Sequence, residues 1–269
     1  MSKGNFTNSG GWVTKWTTEE IDILKEKYPV GGVKEVQKIL LNRSHKAILS
    51  MAAKYKINQW TYNENYFEDI DCPEKAYWLG FIWADGYITK TKSFGIELSI
   101  KDKKQLEKLQ KDLESNTTIK ERTKKVFGKD KEFCNLEFRN KKMIEDLLKV
   151  GIIQNKTYNL QIPNISEKYY KDFIRGFFDG DGTYVLNKES HNKEISCVCY
   201  CRDFLKWIQQ DFDRNKIKSS LLKQTDKTLF NLRMYDSDSI LRYYYVYWDG
   251  ASRYLDRKKE KMEEIYNYI

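Results

Sequence analysis

Apolar residues recur along this chain in two rhythms, one near every third or fourth position and one at every second, and the order of the rhythms repeats. Residues 1–15 are rich in Gly, Ser, Asn and Thr and read as a mobile arm. Thr17 and Glu20 then have capping-box spacing ahead of Ile21, Leu24 and Tyr28, a helix that Pro29 with Gly31 and Gly32 is expected to stop. A second short helix is expected over 33–41. Asn42-Arg43-Ser44 breaks it, and Ser44 caps a third helix running to about Tyr55. After a polar, aromatic linker over 58–74, the pattern helix-strand-strand-helix-strand-strand-helix occurs twice, over 75–160 and 161–269. The first copy has strands at 87–91, 94–100, 118–126 and 132–139, with turn residues Gly128-Lys129-Asp130, and helices at 102–113 and 141–150. The second has strands at 183–186, 194–201, 217–224 and 228–234, and helices at 203–212, 237–247 and 257–268. Pro29, Pro73 and Pro163 all fall at boundaries of this scheme. A mixed α/β fold of two αββαββα repeats behind a three-helix N-terminal domain (16–57) follows.

Each repeat opens on a related helix. Trp78-Leu79-Gly80-Phe81-Ile82-Trp83-Ala84-Asp85-Gly86 and Ile174-Arg175-Gly176-Phe177-Phe178-Asp179-Gly180-Asp181-Gly182 are apolar runs with small residues four apart, and both end in Asp-Gly. Gly80 with Ala84, and Gly176 with Gly180, put two small residues on one helical face, where two backbones can approach closely. A buried acid at the end of such a face is costly unless a cation meets it. The pattern therefore implies two helices packed together, presenting Asp85 and Asp181 side by side. Gly86 and Gly182 suit a left-handed residue ending each helix.

Charge changes this picture in one place. The 269 residues hold 48 Lys and Arg against 39 Asp and Glu, a net +9, which suits a polyanionic partner. The first 60 residues alone carry ten cations and five acids. Arg43, His45, Lys46, Ser50 and Lys54 fall on the polar face of the third helix. The aromatic content of 14% indicates packed globular structure. Cys197, Cys199 and Cys201 alternate as strand residues do. Aligning Leu205 with Leu106 sets Cys197 and Cys199 opposite Leu98 and Ile100, as core residues and not zinc ligands. Neither a leader pattern nor a run of eighteen apolar residues occurs, so a reducing cytosol and no membrane partner are expected.

The opening Trp16-Thr17-Thr18-Glu19-Glu20 and the run Arg43-Ser44-His45-Lys46-Ala47-Ile48 resemble Myb/SANT-like modules, which implies a helix-turn-helix DNA-binding domain. Residues 75–269 resemble the single-chain, two-motif LAGLIDADG homing endonucleases. The second motif matches at almost every defining position; the first carries Trp83 where Asp179 stands in the second. The resemblance implies pseudo-twofold symmetry within a monomer, saddle-shaped antiparallel sheets facing double-stranded DNA, and Mg²⁺ (or Mn²⁺) held by Asp85, Asp181 and the backbone at Ala84 and Gly180. It also implies a catalytic lysine from each half, assigned by position to Lys156 (in Asn155-Lys156-Thr157) and Lys258. Base and phosphate contacts are expected on the polar strand faces. In repeat 1 these carry Glu97, Ser99, Lys120, Arg122, Lys124 and Arg139; in repeat 2, Tyr184, Lys188, Lys216, Lys218, Lys223, Gln224 and Arg233.

The implied activity is site-specific double-strand DNA hydrolysis, in a mobile element or phage and acting at the nucleoid of a bacterial or infected host. An intein is not expected, because the chain ends Asn267-Tyr268-Ile269 without His-Asn splicing chemistry. A second reading stays open: a nucleic-acid-binding protein on the same scaffold, either a group I intron RNA maturase or a regulator, without cleavage.

Overall fold

The computed structural model describes residues 5–6, 12–13, 15–89, 93–153, 156–224 and 228–269. The chain divides into two compact units, Met1–Tyr62 with Glu114–Thr117, and Asn63–Leu113 with Thr118–Ile269. No helix among the described residues is long and apolar enough to cross a membrane.

In the first unit, β1 (Asn5–Phe6) pairs antiparallel with β2 (Trp12–Val13), a short ladder inside the segment expected to be an arm. The helical span α1 (Thr18–Gln37) starts at the expected capping box: Glu20 N–H donates to Thr17 Oγ1 at 3.2 Å and Thr17 N–H to Glu20 Oε2 at 2.9 Å. Pro29 does not stop it. The break comes at Gly32 (φ 63°, ψ −152°), after which helix resumes to Gln37. A proline forfeits one hydrogen bond, whereas a left-handed residue redirects the chain, so the glycine decides the boundary. Ser44 caps α2 (His45–Lys54) by accepting from Ala47 N–H at 3.2 Å. Leu24, Tyr28, Val33, Val36, Leu40, Ile48 and Ala52 form the core, with Trp16, Ile23, Met51 and Ile57 packed on it.

The second unit contains both repeats. Repeat 1 runs α3 (Pro73–Asp85), β3 (Gly86–Ile88), β4 (Phe94–Ser99), α4 (Lys103–Asp112), β5 (Lys120–Val126), β6 (Lys129–Phe138), α5 (Lys141–Lys149). Repeat 2 runs α6 (Tyr170–Asp181), β7 (Gly182–Asn187), β8 (Asn192–Cys199), α7 (Arg202–Arg214), β9 (Ser220–Lys223), β10 (Phe230–Met234), α8 (Ser237–Tyr243). A π-helical turn over Tyr244–Trp248 and the helix α9 (Asp256–Tyr268) complete it. The two antiparallel sheets have the same strand order, β3-β4-β6-β5 and β7-β8-β10-β9. The expected first strand over 87–91 ends at Ile88; residues 90–92 lie outside those described. The β5–β6 turn is tighter than expected. Val126 pairs with Lys129 across Phe127 (φ 50°) and Gly128 (φ 76°), two left-handed residues whose twist matches that of the strands.

Sheet register relates the repeats directly. Gly86 faces Ile96 as Gly182 faces Cys197, so Cys197 and Cys199 correspond to Ile96 and Leu98, not to Leu98 and Ile100 as expected. The error is two residues, an even number, which keeps the side chains on the same face. Both cysteines are accordingly buried.

The motif helices α3 and α6 pack on each other at the centre of this unit. Ala76 to Trp83 and Asp172 to Asp179 are continuously buried, so neither helix has a solvent face. A Cβ on Gly80 would lie 1.9 Å from Phe173 O, and one on Gly176 would lie 2.0 Å from Tyr77 O. The contacts are reciprocal, glycine of one helix on carbonyl of the other, as pseudo-twofold symmetry requires. One of Gly180 would meet the Ala84 methyl at 2.2 Å. All four predicted interface residues therefore sit where the backbones are closest.

Candidate active site and nucleic-acid face

Each motif helix ends at its acid, and the chain passes straight into a strand. Gly86 and Gly182 are not left-handed; both are extended, with φ −74°. They are glycines for a steric reason. A Cβ would stand 2.6 Å from Ile82 O at Gly86 and 2.4 Å from Phe178 O at Gly182. This sharp exit leaves Asp85 and Asp181 at adjoining helix ends: a Cβ on Gly180 would lie 3.0 Å from Asp85 Oδ2.

The lysines assigned by position converge on matching atoms. Lys156, in the turn Lys156–Tyr158, donates to Ala84 O. Lys258, on α9, donates to Gly180 O at 3.1 Å and to Phe178 O at 2.7 Å. Each ammonium thus meets the carbonyl of the residue before the motif acid, despite unequal spacing in sequence. Asn155, beside Lys156, lies outside the described residues. Burial pushes the Asp85 carboxyl up to about 6, with the Asp181 charge adding to the rise and Lys258 and Lys156 opposing it. Asp181 is raised by burial too, against the same two lysines. Burial lowers Lys258 to about 8 and also lowers Lys156. Two desolvated acids facing each other form a site short of positive charge.

These residues fit a hard divalent cation. The donors on offer are two carboxylates and the backbone oxygens of Ala84 and Gly180, all oxygen. Among the described residues no cluster of three or more His, Cys, Asp or Glu competes as a metal site.

The raised acid has a measurable consequence. A carboxyl that titrates near 6 when folded and near 3.9 when unfolded penalises the folded state above the unfolded value. Stability contributed by the protonated form is full below about pH 4, declines as pH rises to about 6 and is absent above. Asp85→Asn is therefore expected to stabilise the metal-free protein at pH 7 by on the order of 1–2 kcal/mol, a few degrees in Tm, and to make no difference near pH 4. Thermal unfolding at the two pH values checks this; equal Tm for variant and parent at pH 7 would contradict the charge crowding.

Trp83 is explained by its partners. Asp179, fully buried and raised by that burial to about 6, accepts from Tyr77 O–H at 2.8 Å and from Leu255 N–H at 2.7 Å. In the symmetry-related place Phe173 replaces Tyr77, and Trp83 packs edge-on against it at 5.4 Å. Trp83 Nε1–H donates to Gln161 O at 3.0 Å, as Leu255 N–H donates to Asp179. One repeat holds its following segment through an acceptor, the other through a donor. Asp179 is a structural hub.

The predicted nucleic-acid residues divide. In the first unit His45, Lys46, Ser50 and Lys54 are exposed on α2. Arg43 is buried. It bonds Glu20 at 2.5 and 2.8 Å and Lys15 O at 3.0 Å, and lies over the Trp16 ring. The capping-box acid recruits it into the core boundary, a role that helical spacing does not reveal.

In repeat 1 the pairings put Glu97, Ser99, Lys120, Arg122 and Lys124 on the sheet face opposite the core, as expected, while Arg139 follows the last residue of β6, 3.8 Å from Glu137. Glu97 bonds Arg122 and Lys124. In repeat 2 Arg233 is on the outer face, 3.9 Å from Glu194. Lys188 (beside Glu264 at 3.1 Å), Lys216 and Lys218 lie outside the strands, exposed; Gln224, just after β9, is half-buried. Two assignments fail by register. Lys223 pairs with Phe230 and shares the face of Leu221 and Leu232, and Tyr184 turns to the helix side, where its hydroxyl is 3.1 Å from that of Tyr243. A shift of one residue exchanges faces. Asn135 and Asn231, not among the expected contact residues, hold the same outer position in the two sheets. The signal was there: Asn135-Leu136 and Asn231-Leu232 stand 96 residues apart, as Asp85 and Asp181 do.

Residues 73–156 and 168–245 match the model of the LAGLIDADG-like domain, more than half of the chain. The chain belongs to the LAGLIDADG-like domain family. Its fold is similar to that of the homing endonuclease I-WcaI bound to its DNA recognition sequence (18% identity, covering 78% of this chain and 92% of that one, TM-score 0.50). It is likewise similar to the LAGLIDADG homing endonuclease I-GzeII in complex with its DNA target (13% identity, 73% and 89% covered, TM-score 0.50). Full-length DUF199/WhiA from Thermatoga maritima also matches (16% identity, 77% and 66% covered, TM-score 0.47). The LAGLIDADG helices of this chain are thus α3 and α6, and the two acids close them.

Proposed function

We propose that this LAGLIDADG protein is a site-specific double-strand DNA endonuclease acting with Mg²⁺ or Mn²⁺ at one centre shared by its two repeats. The observation that carries the reading is the paired constellation Asp85, Ala84 O and Lys156 against Asp181, Gly180 O and Lys258. A scaffold that only bound DNA would have no need to set two acids, each beside a largely desolvated lysine, at its symmetry axis. Asp85, Asp181 and the backbone of Ala84 and Gly180 would hold the metal ions, which when bound supply charge neutralisation on the phosphoryl oxygens and acidify water. The carboxylates orient and accept a proton from the attacking water, one for each strand. Lys156 and Lys258 place positive charge where negative charge grows on the scissile phosphate, and at about 8 Lys258 can also pass a proton toward the leaving 3′ oxygen.

Lys120, Arg122, Lys124 and Arg139 of repeat 1, with Lys188, Lys218, Gln224 and Arg233 of repeat 2, supply phosphate and base contacts. The N-terminal unit, read as Myb/SANT-like, adds affinity for flanking DNA through His45, Lys46, Ser50 and Lys54. The test is direct: incubate the protein and Mg²⁺ with a randomised duplex library and sequence the ends. Discrete double-strand ends at one sequence are expected. Retention of DNA without such ends would make the chain a binding protein on the same scaffold, with intron RNA the next ligand to assay.

A further inference from the structure

The two sheets share topology and register but present different surfaces. In repeat 1 the outer row through Asn135 is Glu97–Asn135–Lys120; the corresponding row in repeat 2 is Val198–Asn231–Leu222. A charged pair flanking the asparagine is replaced by an apolar pair, and Leu222 is 47% exposed. Val185, on the same face of β7, is also exposed. The basic outer positions Lys120, Arg122, Lys124 and Lys131 of repeat 1 have no basic counterpart on the strands of repeat 2 except Arg233, which faces Glu194.

The asparagines differ in what they are free to do. Asn135 Nδ2–H donates to the Tyr87 hydroxyl at 2.7 Å and to Ile96 O at 3.3 Å. Tyr87 can lie there because residue 95 is glycine: a Cβ would be 2.7 Å from its hydroxyl. In repeat 2 the register puts Thr183 in place of Tyr87 and Ser196 in place of Gly95. Among the described residues no tyrosine hydroxyl bonds Asn231, and its Oδ1 is left without solvent or a hydrogen-bond partner.

Resting on the endonuclease reading, we propose that the two half-sites are read by different chemistry. The repeat 2 sheet selects an A·T pair through Val198, Asn231 and Leu222, while the repeat 1 sheet holds its half-site mainly by charge. In the major groove adenine offers an N6 amino donor and an N7 acceptor, the pair an asparagine amide complements; thymine offers a methyl group to an apolar side chain. Asn231 Oδ1 lacks a donor where it lies, shielded from solvent, and turning the amide toward the groove would give it one in the adenine amino group. Valine and leucine beside it have no hydrogen-bonding use, and the thymine methyl is the apolar group that the groove supplies.

The experiment selects bound duplexes from a randomised pool with the full chain carrying Asp181→Asn, then repeats the selection with Asn231→Ala, Leu222→Lys or Lys120→Ala added. The parent is expected to return a bipartite site with a fixed A·T pair in one half. Asn231→Ala should reduce preference at that pair by roughly 5- to 150-fold, and Leu222→Lys, on a half-exposed position that leaves folding intact, should shift it away from thymine. Lys120→Ala should leave the sequence unchanged and lower the salt slope of log K by about 0.9. A discrete parental site whose A·T preference survives both repeat 2 substitutions overturns this inference and leaves the endonuclease reading standing. Recovery of no discrete site by the parent overturns that reading itself.

Discussion

Gly176→Ala is expected to cost the two-repeat unit at least about 3 kcal/mol and to lower its Tm by roughly 10 °C. The added methyl would occupy a point 2.0 Å from Tyr77 O, with Phe81 N at 2.9 Å. Both atoms are helix backbone, so no side chain can swing aside. The helices must separate along a contact whose residues are buried on every side, and each displaced ring opens space elsewhere. Alanine gains about 1 kcal/mol over glycine in helix propensity, which is too little to offset the clash. Gly128, at a turn with nothing near it, is the control; alanine there meets only the strain of φ 76°, on the order of 1 kcal/mol. Thermal unfolding of the two variants decides. A Gly176→Ala protein that melts within about 2 °C of the parent would show that the close backbone approach is not what holds the unit together.

Asp181→Asn is expected to lower cleavage by on the order of 10³-fold or more while leaving affinity for the target within about threefold. The substitution keeps the side chain's shape and removes the charge that the proposed metal ion and attacking water need. On the proposed function it also removes a negative charge from the surface that faces DNA, so binding has no electrostatic reason to weaken. Lys258, whose ammonium bridges Phe178 O and Gly180 O, would lose only part of its electrostatic partnership. Filter binding and single-turnover cleavage on the same preparation separate the two quantities. Cleavage within tenfold of the parent would remove Asp181 from the chemistry.

Periodicity makes much of the secondary structure legible, because elements such as α4, α5 and α7 bury one face and boundaries such as those at Thr17, Ser44, Pro73 and Asn140 carry a cap or a proline. The motif acids and small residues were legible for a related reason: close helix packing demands particular residue types at a spacing of four. Lys156 and Lys258 came only from position after the motif, and their convergence on Ala84 O and Gly180 O is a property of the folded chain. What escaped the sequence reading depends on long-range pairing. Arg43 looked like a groove-facing cation until Glu20 claimed it. Tyr184 and Lys223 fell on the wrong face because strand register in repeat 2 is set by partners that sequence alternation alone does not identify. Trp83 made sense only beside Phe173, which lacks the hydroxyl that Tyr77 offers Asp179.

The central claim is one centre built from both repeats, and a supercoiled plasmid bearing the selected target tests it most directly. With Mg²⁺ the parent should pass from supercoiled to linear DNA, and Asp85→Asn and Asp181→Asn should each leave the plasmid supercoiled. If either single variant still linearises it, or nicks one strand at the parental rate, the two acids serve separate sites and the shared centre is wrong.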